Sequence, residues 1–172
     1  MLKRTGYSTI LTTFLLLLVV LPVAAHGEEE TVAATFSDGM ILTVSLIAAV
    51  VAGVGLRTIK LRPIQLVIAA LVVMTAIVHL MAGVDASLLL ANGLGYVAIL
   101  AALHLSSMSL FKGFRVPLYG LLIAYTLITI ISFFAIHPWG IANGELDWLG
   151  LVTKAAEVVL VALVLVDWWQ HR

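Results

Sequence analysis

The chain has 172 residues, of which 63% are hydrophobic and 10% charged, and its mean hydropathy is +1.19. This composition lies outside the range of soluble globular domains and indicates one membrane-embedded domain. Nine Lys and Arg balance nine Asp and Glu, which excludes a long basic surface for nucleic acid. Cysteine is absent, which excludes disulfides, thiolate metal sites and cysteine nucleophiles.

The first 25 residues have the pattern of a secretory signal peptide. Lys3 and Arg4 provide a basic start, residues 10–21 an apolar stretch, and Pro22 a break before the small residues at 23–25. We expect cleavage after Ala25, which leaves residues 26–39 as a short acidic segment outside the membrane. An uncleaved signal anchor is the alternative, and it gives the same topology.

Five apolar runs follow, each close to the ~20 residues that cross a hydrocarbon core. They predict an all-α fold, an integral membrane bundle of five transmembrane helices, because the runs lack the alternation of strands and a helix satisfies its own backbone in lipid. The helices are expected at about 40–56, 63–83, 87–105, 117–136 and 148–166, within a transmembrane domain of residues 40–168. Ser37, Pro63 and Asp147 are expected at helix starts.

The charges between the runs alternate in sign from gap to gap. The basic gaps hold Lys3 and Arg4, then Arg57, Lys60 and Arg62, then Lys112 and Arg115, then Arg172. The gaps between them hold Glu28, Glu29, Glu30 and Asp38, then Asp85, then Glu145 and Asp147. Because short basic loops stay in the cytoplasm, this pattern predicts a multi-pass cell-membrane protein. Its mature N-terminus is expected outside the cytoplasm, and its C-terminal tail, residues 169–172, inside.

Lys154 and Glu157 lie well inside the fifth run. They are three residues apart on the predicted helix, so their side chains can meet. An unpaired charge at such depth costs about 2.5–3.5 kcal/mol, and ionisable residues inside a membrane are by default candidates for function. Lys before Glu near a helix N-terminus is an unfavourable order, so helix stability alone does not explain the pair. The alternative is a neutralised pair that only packs the bundle.

Polar residues of other helices are expected at a similar depth. The candidate polar pocket consists of Lys154, Glu157, His79, Asn92 and Tyr96. Such a pocket would face outwards and would suit a small polar solute or a proton. The alternative is that each polar group makes a separate interhelical hydrogen bond, which is what we expect for Thr129 and Ser132.

The histidines raise the possibility of a haem. Two axial ligands must face each other at matched depth, and only His79 with His137 approaches this. His137 precedes Pro138 in a loop and suits an axial position poorly. Metal motifs such as H-E-x-x-H and nucleophile elbows do not occur. The sequence therefore predicts no cofactor, no metal site and no catalytic residue.

Three stretches carry a resemblance to a family of small, uncharacterised prokaryotic multi-pass membrane proteins. They are residues 90–96 (LANGLGY), 124–130 (AYTLITI) and 149–157 (LGLVTKAAE), within the half of the chain that the resemblance covers. The resemblance implies a four-helix core with an extra helix. It implies nothing about the chemistry of the protein. It also picks out Asn92, Tyr96, Thr126, Lys154 and Glu157.

The sequence leaves three functions open. We expect a non-catalytic accessory or assembly component, with the lipid bilayer and either a homo-oligomer or another membrane protein as partner. The main alternative is a transporter or sensor for a small solute or protons that uses the pocket around Lys154 and Glu157. A haem-binding redox subunit is the third. None of the three involves nucleic acid.

Overall fold

The computed structural model describes residues 36–56, 61–83, 86–106 and 114–170. In these ranges the chain forms five helices: α1 (Asp38–Gly55), α2 (Pro63–Ala82), α3 (Ser87–Ser106), α4 (Arg115–Ile136) and α5 (Trp148–Trp169). All five are long and apolar enough to cross a membrane. The prediction of an all-helical, membrane-embedded protein is confirmed. The predicted signal peptide lies outside the described residues.

Local signals in the sequence start three of these helices. The Ser37 hydroxyl accepts a hydrogen bond from the first turn of α1, and Pro63 occupies the beginning of α2. The Asp147 carboxylate accepts a hydrogen bond of 2.7 Å from the Gly150 amide in the first turn of α5. The Ser37 and Asp147 side chains accept hydrogen bonds from amides that have no partner within the helix. Pro63 has no amide hydrogen, so it leaves no donor unsatisfied at the helix start.

The largest differences from the predicted helix lengths are in α4 and α5, which are longer by two and three residues. α4 begins at Arg115, two residues before the expected start at Pro117. A proline is tolerated there because amides in the first turn of a helix have no intrahelical acceptor. α5 continues to Trp169, three residues beyond the expected end at residue 166. The extra turn brings Asp167 into the helix.

Successive helices run in opposite directions and form a ring of four with a fifth attached. α2 packs against α3 and α5, and α4 packs against α3 and α5. α1 packs mainly against α2, on the outside of this ring. We call the end that holds the starts of α1, α3 and α5 the hairpin end. The opposite end, where Arg62 and Arg115 start α2 and α4, is the arginine end.

The connection between α4 and α5 folds as a small hairpin. After a 3-10 turn at Pro138–Gly140, strand β1 (Ile141–Ala142) pairs antiparallel with β2 (Glu145–Leu146). Asn143 and Gly144 form the turn with φ values of 51° and 83°, the positive values that a two-residue hairpin turn requires. The Asn-Gly pair is a strong hairpin signal, although our sequence analysis treated this connection as a loop.

The centre of the ring is closely packed around two tyrosines. The rings of Tyr96 and Tyr125 meet edge to face, with centroids 5.1 Å apart. Gly95 admits this arrangement, because a Cβ atom at Gly95 would overlap the Tyr125 side chain. Tyr125 also donates a hydrogen bond of 3.0 Å to the main-chain oxygen of Asn92. Close approach of α3 and α4 therefore depends on the small residue at position 95.

We expect Gly95→Ala to lower the free energy of unfolding by about 1–3 kcal/mol, the usual cost of an overpacked core. This loss outweighs the better helix propensity of alanine, which is worth up to about 1 kcal/mol. Gly120→Ala is the matched control, because nothing lies within 4 Å of a Cβ atom there. Thermal unfolding of the purified protein in detergent measures both variants. Equal stability of the two would show that α3 and α4 can separate without cost.

Candidate functional site

Lys154 and Glu157 form a buried ion pair that faces the interior of the bundle. The Lys154 Nζ lies 2.8 Å from the Glu157 Oε2. Glu157 is fully buried and Lys154 is 5% exposed. Neither side chain points to the lipid, and each charge compensates the other. From the hairpin end, Lys154 lies nearly two turns and Glu157 about two and a half turns inside α5.

Two further helices reach the same carboxylate oxygen through Thr129. The Thr129 hydroxyl of α4 donates to Glu157 Oε2 at 2.8 Å, with the Thr126 carbonyl an equally close acceptor. The Tyr96 hydroxyl of α3 lies 3.2 Å from the Thr129 Oγ1. Because Thr129 has one hydrogen to give, Tyr96 donates to it. Our expectation of a separate interhelical bond for Thr129 was wrong, since Thr129 joins Tyr96 to the ion pair.

His79 of α2 faces the other carboxylate oxygen. Its Nδ1 lies 2.8 Å from the main-chain oxygen of Thr75. A carbonyl oxygen only accepts, so Nδ1 carries a hydrogen, and in the neutral ring Nε2 is left with a lone pair. This Nε2 lies 3.8 Å from the Glu157 Oε1. Two acceptors thus face each other across a short gap.

The Glu157 Oε1 has no hydrogen-bond partner in the part of the chain that the structure describes, although it is fully buried. Buried polar atoms in proteins are almost always paired, so such an exception calls for an explanation. Two more hydroxyl oxygens are buried without a partner among the described residues. One belongs to Thr75, one helical turn before His79, and the other to Thr126, three residues before Thr129. The cluster therefore has unused capacity for a proton or a water molecule.

A cavity of about 290 Å³ lies between the ion pair and the hairpin end. Lys154, His79 and Thr129 line its deep part. His137 and Asp147, which flank the hairpin, line its mouth. Most of the remaining lining is apolar, from Val78, Leu88, Leu89, Ile128, Ile136 and Leu149. The cavity thus connects the ion pair to one end of the bundle.

The candidate pocket residues are not all in mutual contact. Lys154, Glu157 and His79 are close together, and Tyr96 joins them through Thr129. Asn92 lines the cavity separately, and its side-chain oxygen is buried without a partner. Ser132 also lines the cavity. The structure thus unites four of the five predicted residues in one cluster.

A second buried carboxylate, Asp167, lies at the arginine end. It accepts hydrogen bonds from Arg62 at 3.0 Å, Tyr119 at 2.6 Å and Gln65 at 3.3 Å, and Arg62 also lies 2.8 Å from its other oxygen. Arg115 donates to the Tyr119 hydroxyl at 3.2 Å. Our sequence analysis gave Asp167 no role. The signal that could have found it is an acid in a gap that otherwise holds only bases.

The described residues do not favour a metal or a haem. Within residues 36–56, 61–83, 86–106 and 114–170, no group of three or more His, Cys, Asp and Glu could hold a metal ion. The two ring nitrogens of His79 face Thr75 and Glu157, so neither is directed towards a position that an axial iron could take. The pairing of His79 with His137 therefore gains no support.

The chain has no match among protein-family models, curated proteins or solved structures. The fold and the cluster define a membrane-embedded helical bundle with an ion pair buried at the bottom of a cavity. The resemblance noted in the sequence stays a prediction. Function must therefore be argued from the site.

Proposed function

We propose that this protein binds a proton inside the membrane, as a transporter or sensor, at the cluster of Lys154, Glu157 and His79. The observation that carries the proposal is the gap between Glu157 Oε1 and His79 Nε2, two acceptors 3.8 Å apart between which no described residue places a donor. One proton on either atom gives both a partner. Intramembrane carboxylates and histidines of this kind form proton relays in pumps and transporters.

The charges around the gap decide what such a proton does. Glu157 is faced by His79 from α2, Tyr96 from α3, Tyr125 from α4 and Lys154 from α5. Towards the hairpin end, the next carboxylate is Asp147, the N-cap of α5 at the cavity mouth. In the resting cluster Lys154 and Glu157 cancel, and an added proton leaves a net charge of +1. Proton binding thus weakens the hold of Glu157 on Lys154 and changes the cavity floor.

The cavity mouth is placed on the extracytoplasmic side in this proposal. Arg62 and Arg115 lie at the arginine end, and short basic loops stay in the cytoplasm. Trp139 and Trp148 are exposed at the hairpin end, and Trp169 is exposed at the arginine end. Exposed tryptophans at both ends suit the two interfaces of a bilayer. These features support a multi-pass location in the cell membrane.

An accessory or assembly role without catalysis is the second candidate, and the observation that favours it is the position of α1. This helix packs mainly against α2, and most of its apolar side chains are exposed. A partner helix could cover them as well as lipid does. Co-purification of a stable heteromeric partner would support this role, whereas a homogeneous preparation of the chain alone would count against it.

Infrared difference spectroscopy of the full chain in lipid nanodiscs tests the proton site. On acidification we expect the carbonyl stretch of a protonated carboxyl in a dry environment, which lies at a higher frequency than that of a solvent-exposed carboxyl, because Glu157 takes up the proton inside the bundle. Glu157→Gln should abolish this signal. The matched control is Glu145→Gln, which removes an exposed carboxyl in the hairpin and should leave the signal unchanged.

Two results would overturn the proposal. One is a wild-type protein that remains folded on acidification but shows no carbonyl stretch of a carboxyl in a dry environment. The other is a signal that persists in Glu157→Gln, since the proton would then bind elsewhere. His79→Gln should shift the pH at which the signal appears, because it removes the facing nitrogen. A titration identical to wild type would contradict a shared proton.

A further inference from the structure

Lys154 has hydrogen-bonding capacity that the bundle does not use. An ammonium group has three donors, and one of them reaches Glu157. The Nζ also lies 5.7 Å from the centre of the Phe133 ring, a distance typical of a cation–π contact. Lys154 lines the cavity. Its remaining donors are therefore available to an acceptor inside that cavity.

The remaining lining limits what such an acceptor can be. The cavity of about 290 Å³ has mostly apolar walls; besides the polar groups at its floor and its mouth, Asn92 and Ser132 also line it. Sites of this kind hold a largely apolar ligand and fix it with a few polar contacts. The cation at the floor selects a negatively charged head group. A short apolar body with one carboxylate matches both features.

The carboxylate at the mouth does not oppose this assignment. Asp147 accepts a hydrogen bond of 2.7 Å from the Gly150 amide and caps α5. Its charge is thus held at the positive end of the helix dipole. An anion that passes Asp147 meets a charge already compensated by backbone amides, and then reaches the free donors of Lys154.

We propose that the cavity binds a small amphipathic carboxylate on Lys154, together with one proton in the gap between Glu157 and His79. This inference rests on the proposed proton site and names its ligand class. The carboxylate replaces Glu157 as the partner of Lys154. Glu157 takes the proton, becomes neutral, and donates its O–H towards the His79 Nε2. One negative and one positive charge enter together, so the buried cluster stays neutral.

Isothermal titration calorimetry of the full chain in nanodiscs, with hexanoate as the probe, tests the coupling. Heats measured at one pH in two buffers with different ionisation enthalpies give the number of protons taken up. We expect about one proton for each hexanoate, since the charge that enters must be balanced. Hexanol is the matched neutral probe. It should bind roughly tenfold or more weakly and take up no proton, because it lacks the charge-assisted hydrogen bond.

Variants separate the roles of the two charges. Glu157→Gln mimics the protonated acid and should bind hexanoate with no proton uptake. Lys154→Met should weaken the affinity for hexanoate by roughly tenfold or more. Because Lys154→Met also alters the ion pair, Ala82→Trp provides a second route, since Ala82 lines the cavity and a tryptophan would fill it. Ala135→Trp, at an exposed position that does not line the cavity, is its control.

The inference is overturned if hexanol binds as tightly as hexanoate, if hexanoate binds without proton uptake, or if Ala82→Trp leaves hexanoate binding intact. If the protein shows the protonated Glu157 but binds no hexanoate, the proposed ligand class is wrong and the proposed proton site stands. A protein without the Glu157 signal loses the proposed function itself. The two failures are thus distinguishable.

Discussion

Lys154→Met is expected to lower the free energy of unfolding by about 3 kcal/mol, because removing one partner of a buried ion pair typically costs about 3–5 kcal/mol. The lower end applies here since Glu157 keeps the Thr129 hydroxyl as a donor at 2.8 Å and can take up a proton. For a chain of this length the loss corresponds to a fall in Tm of roughly 6–12 °C. Thermal unfolding in detergent at neutral pH measures it.

The double variant Lys154→Met/Glu157→Gln provides the control. It leaves no charge at this depth, so most of the lost stability should return, and a double-mutant cycle gives the coupling between the two residues. If the losses of the single variants simply add, the pair does not act as a unit. A double variant as stable as wild type but without the proton signal and without hexanoate binding would separate the packing role of the pair from its function.

The five helices could be predicted because their signal is local. Each apolar run is long enough to span a bilayer, and the residues that start α1, α2 and α5 lie next to the runs. The depth of Lys154 and Glu157 followed from their distance to the end of the run. The length of a run and the position of a residue along it do not depend on how the helices are rotated.

Depth placed His79 and Tyr96 near Glu157, but the atoms that face its carboxylate and the role of Thr129 could not be predicted, because helix rotation is not encoded in these runs. The helices are apolar on all sides, so no hydrophobic stripe shows which face turns inward. Only the packed structure shows that Thr129 points to Glu157 and that His79 is fixed by the Thr75 carbonyl. The gap between His79 and Glu157, which carries the proposed function, depends on both.

Asp167 was missed for a related reason. Counting charges by gap assigns its region to the basic side, and a single acid among bases does not change that assignment. Its main partner, Arg62, lies 105 residues away in sequence, so no local pattern links them. An acid that violates the alternation of charge is nevertheless informative. It indicates that a base at the same end of the bundle has a specific partner.

The two buried carboxylates differ in a way that suits different roles. Glu157 has donors on one oxygen only and lies beneath a cavity. Asp167 also accepts its hydrogen bonds on one oxygen, but the Arg62 guanidinium lies 2.8 Å from its other oxygen, and the residue lies at the opposite end of α5. A carboxylate with an unused oxygen beside a cavity can exchange a proton or a partner. A carboxylate held by several donors joins its own helix, here α5, to the helices that supply the donors, here α2 and α4.

Asp167→Ala is therefore expected to lower the free energy of unfolding by about 3 kcal/mol. The loss arises because Tyr119 and Gln65, both buried, lose their acceptor, and an unsatisfied buried donor costs about 1–3 kcal/mol. Asp167→Asn keeps an acceptor oxygen and should lose only about 1–2 kcal/mol. Arg62→Met should cost less than Asp167→Ala, because Tyr119 and Gln65 still donate to the Asp167 carboxylate, whereas Asp167→Ala leaves both buried donors without an acceptor.

Thermal unfolding in detergent ranks these variants, with Glu145→Ala in the exposed strand of the hairpin as the control. An Asp167→Ala protein as stable as this control would show that the arginine end is held by apolar packing alone. The folded Asp167→Asn protein gives a second result. Because Asp167 lies ten residues along α5 from Glu157, or roughly 15 Å, it should retain both the protonated carboxyl signal and hexanoate binding. Loss of either in a folded Asp167→Asn protein would mean that the two ends of the bundle act together, so that proton binding at Glu157 requires the contacts of Asp167.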